Sequence, residues 1–528
     1  MVNLDEIIKE LFTEKQEGVF IVPFGGVGGN INGDEIEPEL GGNQFLLHDN
    51  GVWIMLDFGM NFDRMSQYYS FPFGPKKFRA LETMLSLGIY PDIPGIYRQD
   101  MLRQMGRGPE EKTIDAFVFS HAHIDHLAGL HFLRHDMEVW MDRYSKIVAY
   151  SMQEWGNLPF SDFIDMFLLG EEFPKIREEG MKIHRGEGVR VARNIKCFKP
   201  PEPFNVKHVK IEPYYVDHSL PGACGFIVYT SIGPLVFTGD LRMRGRRSEN
   251  TINFMNAARA CNPAYLLCEG SLIHKRQVGN EKDLVNKTTE YMKRFDGLAV
   301  VSYPPRDLDR LESLYEVAKR TGRQLVITTA QARLLELMNG ELGYPKLSRK
   351  YFSILKPRKN TGRERDSDYY KKEKKFFTEK KYEKQIVTVG DITSDPGKYL
   401  VTLTLSSMDT VIDIEPPSNS VYIRSHPEPY TEHMELDQKV MLHWLKKFNL
   451  YQPEQIDMLG QDDFPIAHAH ITGHMSLEEK IMFVRTVVGK SRCTLLPIHT
   501  LDPKMMVDEC GVPYEIPTIG KKIILKAT

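Results

Sequence analysis

The six residues His121-Ala122-His123-Ile124-Asp125-His126 constrain this chain of 528 residues more than any other segment. They bring together three imidazoles and a carboxylate, the donors that zinc, manganese and iron accept. A strand cannot present all four to one point, because alternate residues share a face: His121, His123 and Asp125 would align and His126 would not. A loop leaving a strand can turn all four inward, and the apolar run Ala116 to Phe119 just before the cluster supplies that strand. The chain must therefore hold this loop on a rigid β framework.

One loop cannot complete two coordination shells, so further ligands are sought at other strand ends. Between Phe20 and Asp240 short apolar runs recur: Gly18 to Val22, Val52 to Leu56, Tyr214 to Val216, Gly225 to Tyr229 and Leu235 to Phe237. Several end in a polar residue, as in Leu56-Asp57, Asp217-His218 and Gly239-Asp240. Taken singly, His218 reads equally well as a turn residue before Leu220-Pro221-Gly222, and Asp240 as a cap after Thr238-Gly239. Beside the histidine cluster both become candidate ligands. A carboxylate has two oxygens, so Asp240 could bridge two ions about 3.5 to 4 Å apart and hold a hydroxide between them.

The rest of the chain sets the context. Its length implies about two to four domains. From Gly270 to Glu435 helical patterns alternate with buried strands (Leu298 to Val301, Leu325 to Thr328, Tyr399 to Leu403, Val421 to Ile423), which predicts an open parallel α/β unit. Its clearest helix is Leu308 to Arg320, with Leu308, Leu311, Tyr315 and Ala318 on one face and Gly322 as C-cap. A net charge of -3 gives no global argument for nucleic-acid binding and leaves room only for a local basic patch. Lys356 to Lys384 reads as a solvated charged face, or, through the interleaved Tyr369, Tyr370, Phe376 and Phe377, as a phosphate-contacting flap. Phe71 to Glu111 could form a lid. Six cysteines without a Cys-x-x-Cys spacing exclude a zinc ribbon and fit a reducing compartment. With no apolar run of about eighteen residues, the expectation is a soluble cytoplasmic protein without a membrane partner.

His-x-His-x-Asp-His, then a lone His218, then Thr238-Gly239-Asp240 resembles the metallo-β-lactamase superfamily, with Asp57 at its early aspartate. The resemblance implies that His121, His123 and His218 bind one ion and that Asp125, His126 and a later histidine bind another, with Asp240 bridging. A long insertion then separates Asp240 from His470-Ile471-Thr472-Gly473-His474-Met475-Ser476-Leu477-Glu478-Glu479, which is similar to the ribonuclease J stretch His-x-Ser-Gly-His-x-Ser-x-Glu-Glu. Strand Thr494 to Ile498 delivers the last histidine, His499, while Val300-Val301-Ser302 with Asp309-Arg310, and Cys268-Glu269-Gly270, agree with the same β-CASP branch. The fold so implied is α/β: a metallo-β-lactamase αββα sandwich over 1–248, an inserted α/β β-CASP domain over 249–438, and a return to the sandwich over 439–528.

What the resemblance implies chemically is a ribonuclease cutting single-stranded RNA, from the 5′ end, internally or both, with a hydroxide activated by two divalent ions, zinc or manganese. Phosphodiester cleavage needs charge neutralised on oxygen, a nucleophilic water and a proton for the leaving oxygen. His474, oriented by Glu269, is the candidate acid; His470, Ser425 and Arg310 are candidates to hold a neighbouring phosphate. Departures from the pattern are Thr472 in place of Ser, and His499 followed by Thr500-Leu501-Asp502 rather than Gly-Glu. The chain also ends at Thr528, short of the C-terminal domain through which ribonuclease J pairs its subunits, so a homodimer stays an open expectation. Two other functions compete: a hydrolase of a small ester, lactone or phosphodiester on the same core, and a catalytically silent RNA-binding subunit, which the filled ligand positions disfavour.

Overall fold

The computed structural model describes residues 4–527 except 32–33, 70–72, 77–78, 157–165, 171–189, 277–278, 360, 362–365, 428, 430–431, 451–466 and 490–491. It forms two compact units, one of Met1–Met243, Arg247–Gln277 and His474–Thr528, the other of Arg244–Arg246 and Val278–Gly473.

Two sheets make up the first unit. One runs, in spatial order, Ile195–Phe198, Glu138–Asp142, Ala116–Val118, Val52–Phe58, Gln44–Asp49, Val19–Gly25 and Ile523–Ile524. The other runs Phe204–Val206, Val209–Tyr215, Cys224–Thr230, Gly233–Phe237, Tyr265–Glu269 and Thr494–Ile498. The two-residue period of a strand assigns the faces. Ile54, Leu56, Ala116 and Val118 of the first sheet share one buried core with Phe226, Val228, Leu235, Phe237, Leu267 and Leu496 of the second. The alternate residues Ile227, Val236, Leu266 and Leu495 face the other way, against Phe254 and Ala258 of helix Ser248–Ala260, Phe483, Val484 and Val487 of helix Leu477–Val488, and Met506 of helix Pro503–Cys510. Each such side chain taken from water contributes about 1.5 to 3 kcal/mol, which is why patterning on both faces fixes a sandwich.

Domain boundaries fall later than the sequence suggests. The inserted unit begins at Val278 rather than 249 and ends at Gly473 rather than 438. The reason is strand Tyr265–Glu269, which pairs in parallel with both Gly233–Phe237 and Thr494–Ile498 and so lies inside the second sheet. Locally, helix 248–260 followed by this strand reads like the α/β alternation of the insertion itself.

Within the segment Phe71 to Glu111, the described residues from Ala80 on pack into the core rather than form a lid. Met84, Ile89, Tyr90, Ile93, Ile96, Tyr97 and Leu102 are buried, and the Tyr90 ring sits 5.0 Å from Phe58 and 5.6 Å from Phe132.

In the second unit the strands Ile386–Thr388, Phe352–Lys356, Gln324–Ile327, Tyr399–Thr402, Ala299–Ser302, Val421–Arg424 and Ala467–His468 form one sheet in that order, parallel at each of its pairings. Helix Leu308–Thr321 is capped by Asp307 and ends on Gly322 at φ 73, as its pattern predicts. The charged stretch does not form an aromatic flap: Tyr369 and Phe376 are buried, Phe376 packs on Tyr382 at 5.0 Å, and buried Glu373 pairs with Lys359 at 2.7 Å. Tyr370 alone of the four aromatics is strongly exposed, and 362–365 lie outside the described residues. Among the described residues no helix is long and apolar enough to cross a membrane.

Candidate metal centre

The centre is built in the first unit from the ends of five strands. Asp57, at φ 55 and fully buried in strand Val52–Phe58, is the anchor. Its Oδ1 accepts from the Ser120 backbone and its Oδ2 from the Ser120 hydroxyl, each at 2.7 Å, and Oδ2 is also 2.7 Å from His126 Nδ1. Ser120 Oγ in turn is 3.0 Å from His121 Nδ1. One carboxylate thus fixes the orientation of two imidazoles, leaving their Nε2 atoms toward the centre. After His123 the chain turns into the short helix Ile124–Leu127, and this change of period brings His126 back to the side that a strand would deny it. Gly59 lets the loop approach: a Cβ there would meet the Asp125 carbonyl oxygen at 1.7 Å.

His218 follows strand Val209–Tyr215, Asp240 follows Gly233–Phe237, and His499, at φ 48, follows Thr494–Ile498. Two groups of donors result, His121, His123, His218 and Asp240, and Asp125, His126, Asp240 and His499, with the ligand atoms of each within 4.8 Å of one another. Asp240 belongs to both. Its Oδ2 lies 3.6 Å from His121 Nε2, 3.3 Å from His126 Nε2 and 3.8 Å from His218 Nε2, and its buried Oδ1 has no hydrogen-bond partner. His123 Nδ1 is 2.9 Å from His121 Nε2 and 3.0 Å from His218 Nε2. These separations fit a shared cation, since ligands bonded at about 2.1 Å to one ion stand roughly 3 to 3.5 Å apart. The seven residues expected as ligands fall into these two groups, a donor set that would fit divalent ions.

Electrostatics favour the ligand forms. Burial pushes His123 down to about 4, and burial, reinforced by neighbouring imidazoles, holds His121 well below the usual range; burial also lowers His499. Each shift favours the neutral form that can coordinate. For Asp240 burial acts upward, but His126, His499 and His474 outweigh it and keep the carboxyl ionised. His126 goes the other way in the ion-free chain: burial lowers it, yet Asp240, Asp125 and Asp57 together raise it well above the ordinary value.

His474 Nδ1 lies 4.0 Å from Asp240 Oδ2 and 3.7 Å from Glu269 Oε2. Glu269 is fully buried at the end of strand Tyr265–Glu269 and accepts from the Ser271 backbone at 2.8 Å. Burial would protonate it, but Lys480 at 3.3 Å and then His474 hold it ionised. The two carboxylates in turn raise the pKa of His474 against the effect of burial. Lys480 is the residue that sequence reading misses. Fully buried, it donates to the Met475 carbonyl at 2.7 Å. Its position three after Leu477 and four before Val484, on the buried stripe of helix Leu477–Val488, is the signal that could have found it.

The expected phosphate contacts fare differently. In the second unit Arg310 and Ser425 are fully buried. Arg310 pairs with Glu281 at 2.9 Å, donates to Ser425 Oγ, and donates to the Ala469 and Ile471 carbonyls at 3.1 Å each. A guanidinium so committed is not free to meet a phosphate; it braces the segment that carries His470. His470 itself is half-buried, with Nδ1 3.2 Å from the Ser425 carbonyl.

The comparisons with known proteins agree with this geometry. Residues 90–256 match the family model described as the Beta-lactamase superfamily domain. Ribonuclease J of Thermus thermophilus is 22% identical over 246 residues, 46% of this chain and 39% of that protein; ribonuclease J of Mycobacterium tuberculosis is 25% identical over 246 residues, 44% of this chain and 37% of its own. The match therefore spans about two fifths of the length of these curated relatives. A crystal structure of a protein of unknown function from Enterococcus faecalis V583 shares the fold at a TM-score of 0.67, with 18% identity over 96% of this chain and 100% of that one. Residues 90–256 thus carry a domain of the Beta-lactamase superfamily, in a chain that is similar over less than half its length to the ribonucleases J.

Proposed function

We propose that this protein is a metal-dependent ribonuclease that hydrolyses phosphodiester bonds of single-stranded RNA, by 5′ to 3′ trimming, internal cutting or both. The observation that carries the proposal is Asp240 shared between two ligand groups, with His474 only 4.0 Å away. Two divalent ions held there, zinc or manganese, supply charge neutralisation and a water of lowered pKa. The protein's own side chains do the rest. Asp57 and Ser120 orient His126 and His121. His474 keeps its proton near neutrality under Asp240 and Glu269 and gives it to the departing ribose oxygen. Glu269, kept charged by Lys480, positions that imidazole. His470 remains a candidate phosphate contact, its segment braced within the second unit by Arg310 and Ser425. The named relatives support RNA as the substrate, and six free thiols are in keeping with a reducing, cytoplasmic setting.

A nuclease assay on 5′-monophosphate, 5′-triphosphate and 5′-hydroxyl RNA, beside the same DNA strand and a bis-phenyl phosphodiester, tests this reading. Metal-dependent RNA cleavage that chelation stops is the expected result. Turnover of the small diester with intact RNA would replace it with the small-molecule hydrolase.

A further inference from the structure

Asn43 is fully buried just before strand Gln44–Asp49. Its backbone is fixed on both sides, its N–H donating to the Asp125 carbonyl at 2.9 Å and its carbonyl accepting from Gly59 at 3.0 Å. The side chain reaches the centre: Nδ2 lies 3.0 Å from His126 Nε2 and 2.6 Å from His499 Nδ1. Oδ1 is buried without a hydrogen-bond partner. Gly26, at φ 74, leaves it room, since a Cβ there would stand 2.5 Å from Oδ1.

A primary amide so placed has two states. While the imidazole lone pairs are free, its NH2 can donate to them. Once those lone pairs point at a cation, an NH2 facing them has no acceptor, and a half-turn about Cβ–Cγ puts the amide oxygen in the same place. Ligand atoms bonded at about 2.1 Å to one ion stand roughly 3 to 3.5 Å apart, close to the separation of this amide from His126. We propose that Asn43 is a further ligand of the second ion, joining Asp125, His126, Asp240 and His499 through its amide oxygen. The inference rests on the metal centre and not on RNA as substrate. It also divides the two positions chemically: three imidazoles and one carboxylate suit zinc, whereas two carboxylates, an amide and two imidazoles accept the harder manganese more readily.

Titration of the whole chain with zinc or manganese alone, followed by calorimetry or equilibrium dialysis, tests this without substrate. Wild-type protein should take up two ions. Asn43→Leu, which keeps the branched shape and excludes a replacing water, should bind one ion normally and the other at least about tenfold more weakly, the scale seen when even groups that merely orient metal ligands are lost. Asn43→Asp should bind the second ion at least as tightly as wild type, because it supplies oxygen and charge. Two ions at wild-type affinity in Asn43→Leu would overturn the proposal. So would a loss in Asn43→Asp as large as in Asn43→Leu, since the amide would then be acting as a donor. If melting of the ion-free Leu variant shows misfolding, the Asp variant decides alone. A chain that takes up ions in the expected pattern yet cleaves no RNA overturns the proposed function and leaves the role of Asn43 supported.

Discussion

Arg242 Nε lies 2.9 Å from Asp217 Oδ1, and the Arg242 backbone N–H donates to the Asp217 carbonyl at 2.8 Å. Both side chains are buried. Asp217 immediately precedes His218 and Arg242 follows Asp240 by two, so this one ion pair pins together two of the three loops of the second sheet that carry expected ligands. Thr251 Oγ1 ties the pair to helix Ser248–Ala260, accepting from the Asp217 backbone at 2.9 Å and donating to the Arg242 carbonyl at 2.8 Å. Removing one partner leaves the other charge buried. Arg242→Ala should therefore cost about 3 to 5 kcal/mol of stability in denaturant unfolding, with Arg242→Lys losing less. A variant as stable as wild type would show that the pair is not the pin.

Asp240→Asn keeps the volume of the shared ligand but removes its charge. Turnover should fall by more than about 10²-fold, beyond the loss that follows removal of a residue that only orients a metal ligand. Metal analysis should find fewer than two ions, and circular dichroism should show the fold retained. Near-normal turnover with both ions bound would return Asp240 to the role of a turn cap.

The acid assigned to His474 has a pH signature. In the ion-free chain Asp240 and Glu269 raise its pKa against burial, and an acid holds its proton at low pH and loses it as pH rises through its pKa. Single-turnover cleavage should therefore hold at low pH and fall as pH rises through the pKa of His474. His474→Ala should lower the chemical step by roughly 10² to 10⁴ and abolish that alkaline fall, with RNA affinity little changed. An unchanged profile in His474→Ala would remove it from the reaction.

Arg310→Ala should act on folding before it acts on RNA. It strands Glu281, whose carboxylate is buried against Arg310 and Ser313, and should destabilise the protein by about 3 to 5 kcal/mol. Protein that remains folded should bind RNA with an unchanged salt slope, since the committed guanidinium releases no phosphate counterion. A flattened slope would make Arg310 a phosphate contact after all.

Local spacing determined a good deal of this protein. His121, His123, Asp125 and His126 lie within one loop, so their convergence needed no distant partner to be legible, and strand ends marked His218, Asp240 and Asp57 because apolar runs stop there. The helix from Leu308 followed from period and its Gly322 cap alone, whereas strand Thr494–Ile498 came with the family resemblance. Tertiary structure decided what depends on environment. Arg310 reads in sequence as a candidate phosphate contact and Lys480 goes unmarked; only the partners Glu281 and Glu269, brought from elsewhere in the chain, make their burial tolerable. Asn43 carries no local signal, and only its approach to residues 126 and 499 singles it out. The boundary of the insertion moved for the same reason: the helix and strand of 248–269 look alike in either unit, and only pairing with strands 233–237 and 494–498 assigns them, because hydrogen bonds across a sheet join segments that sequence keeps apart.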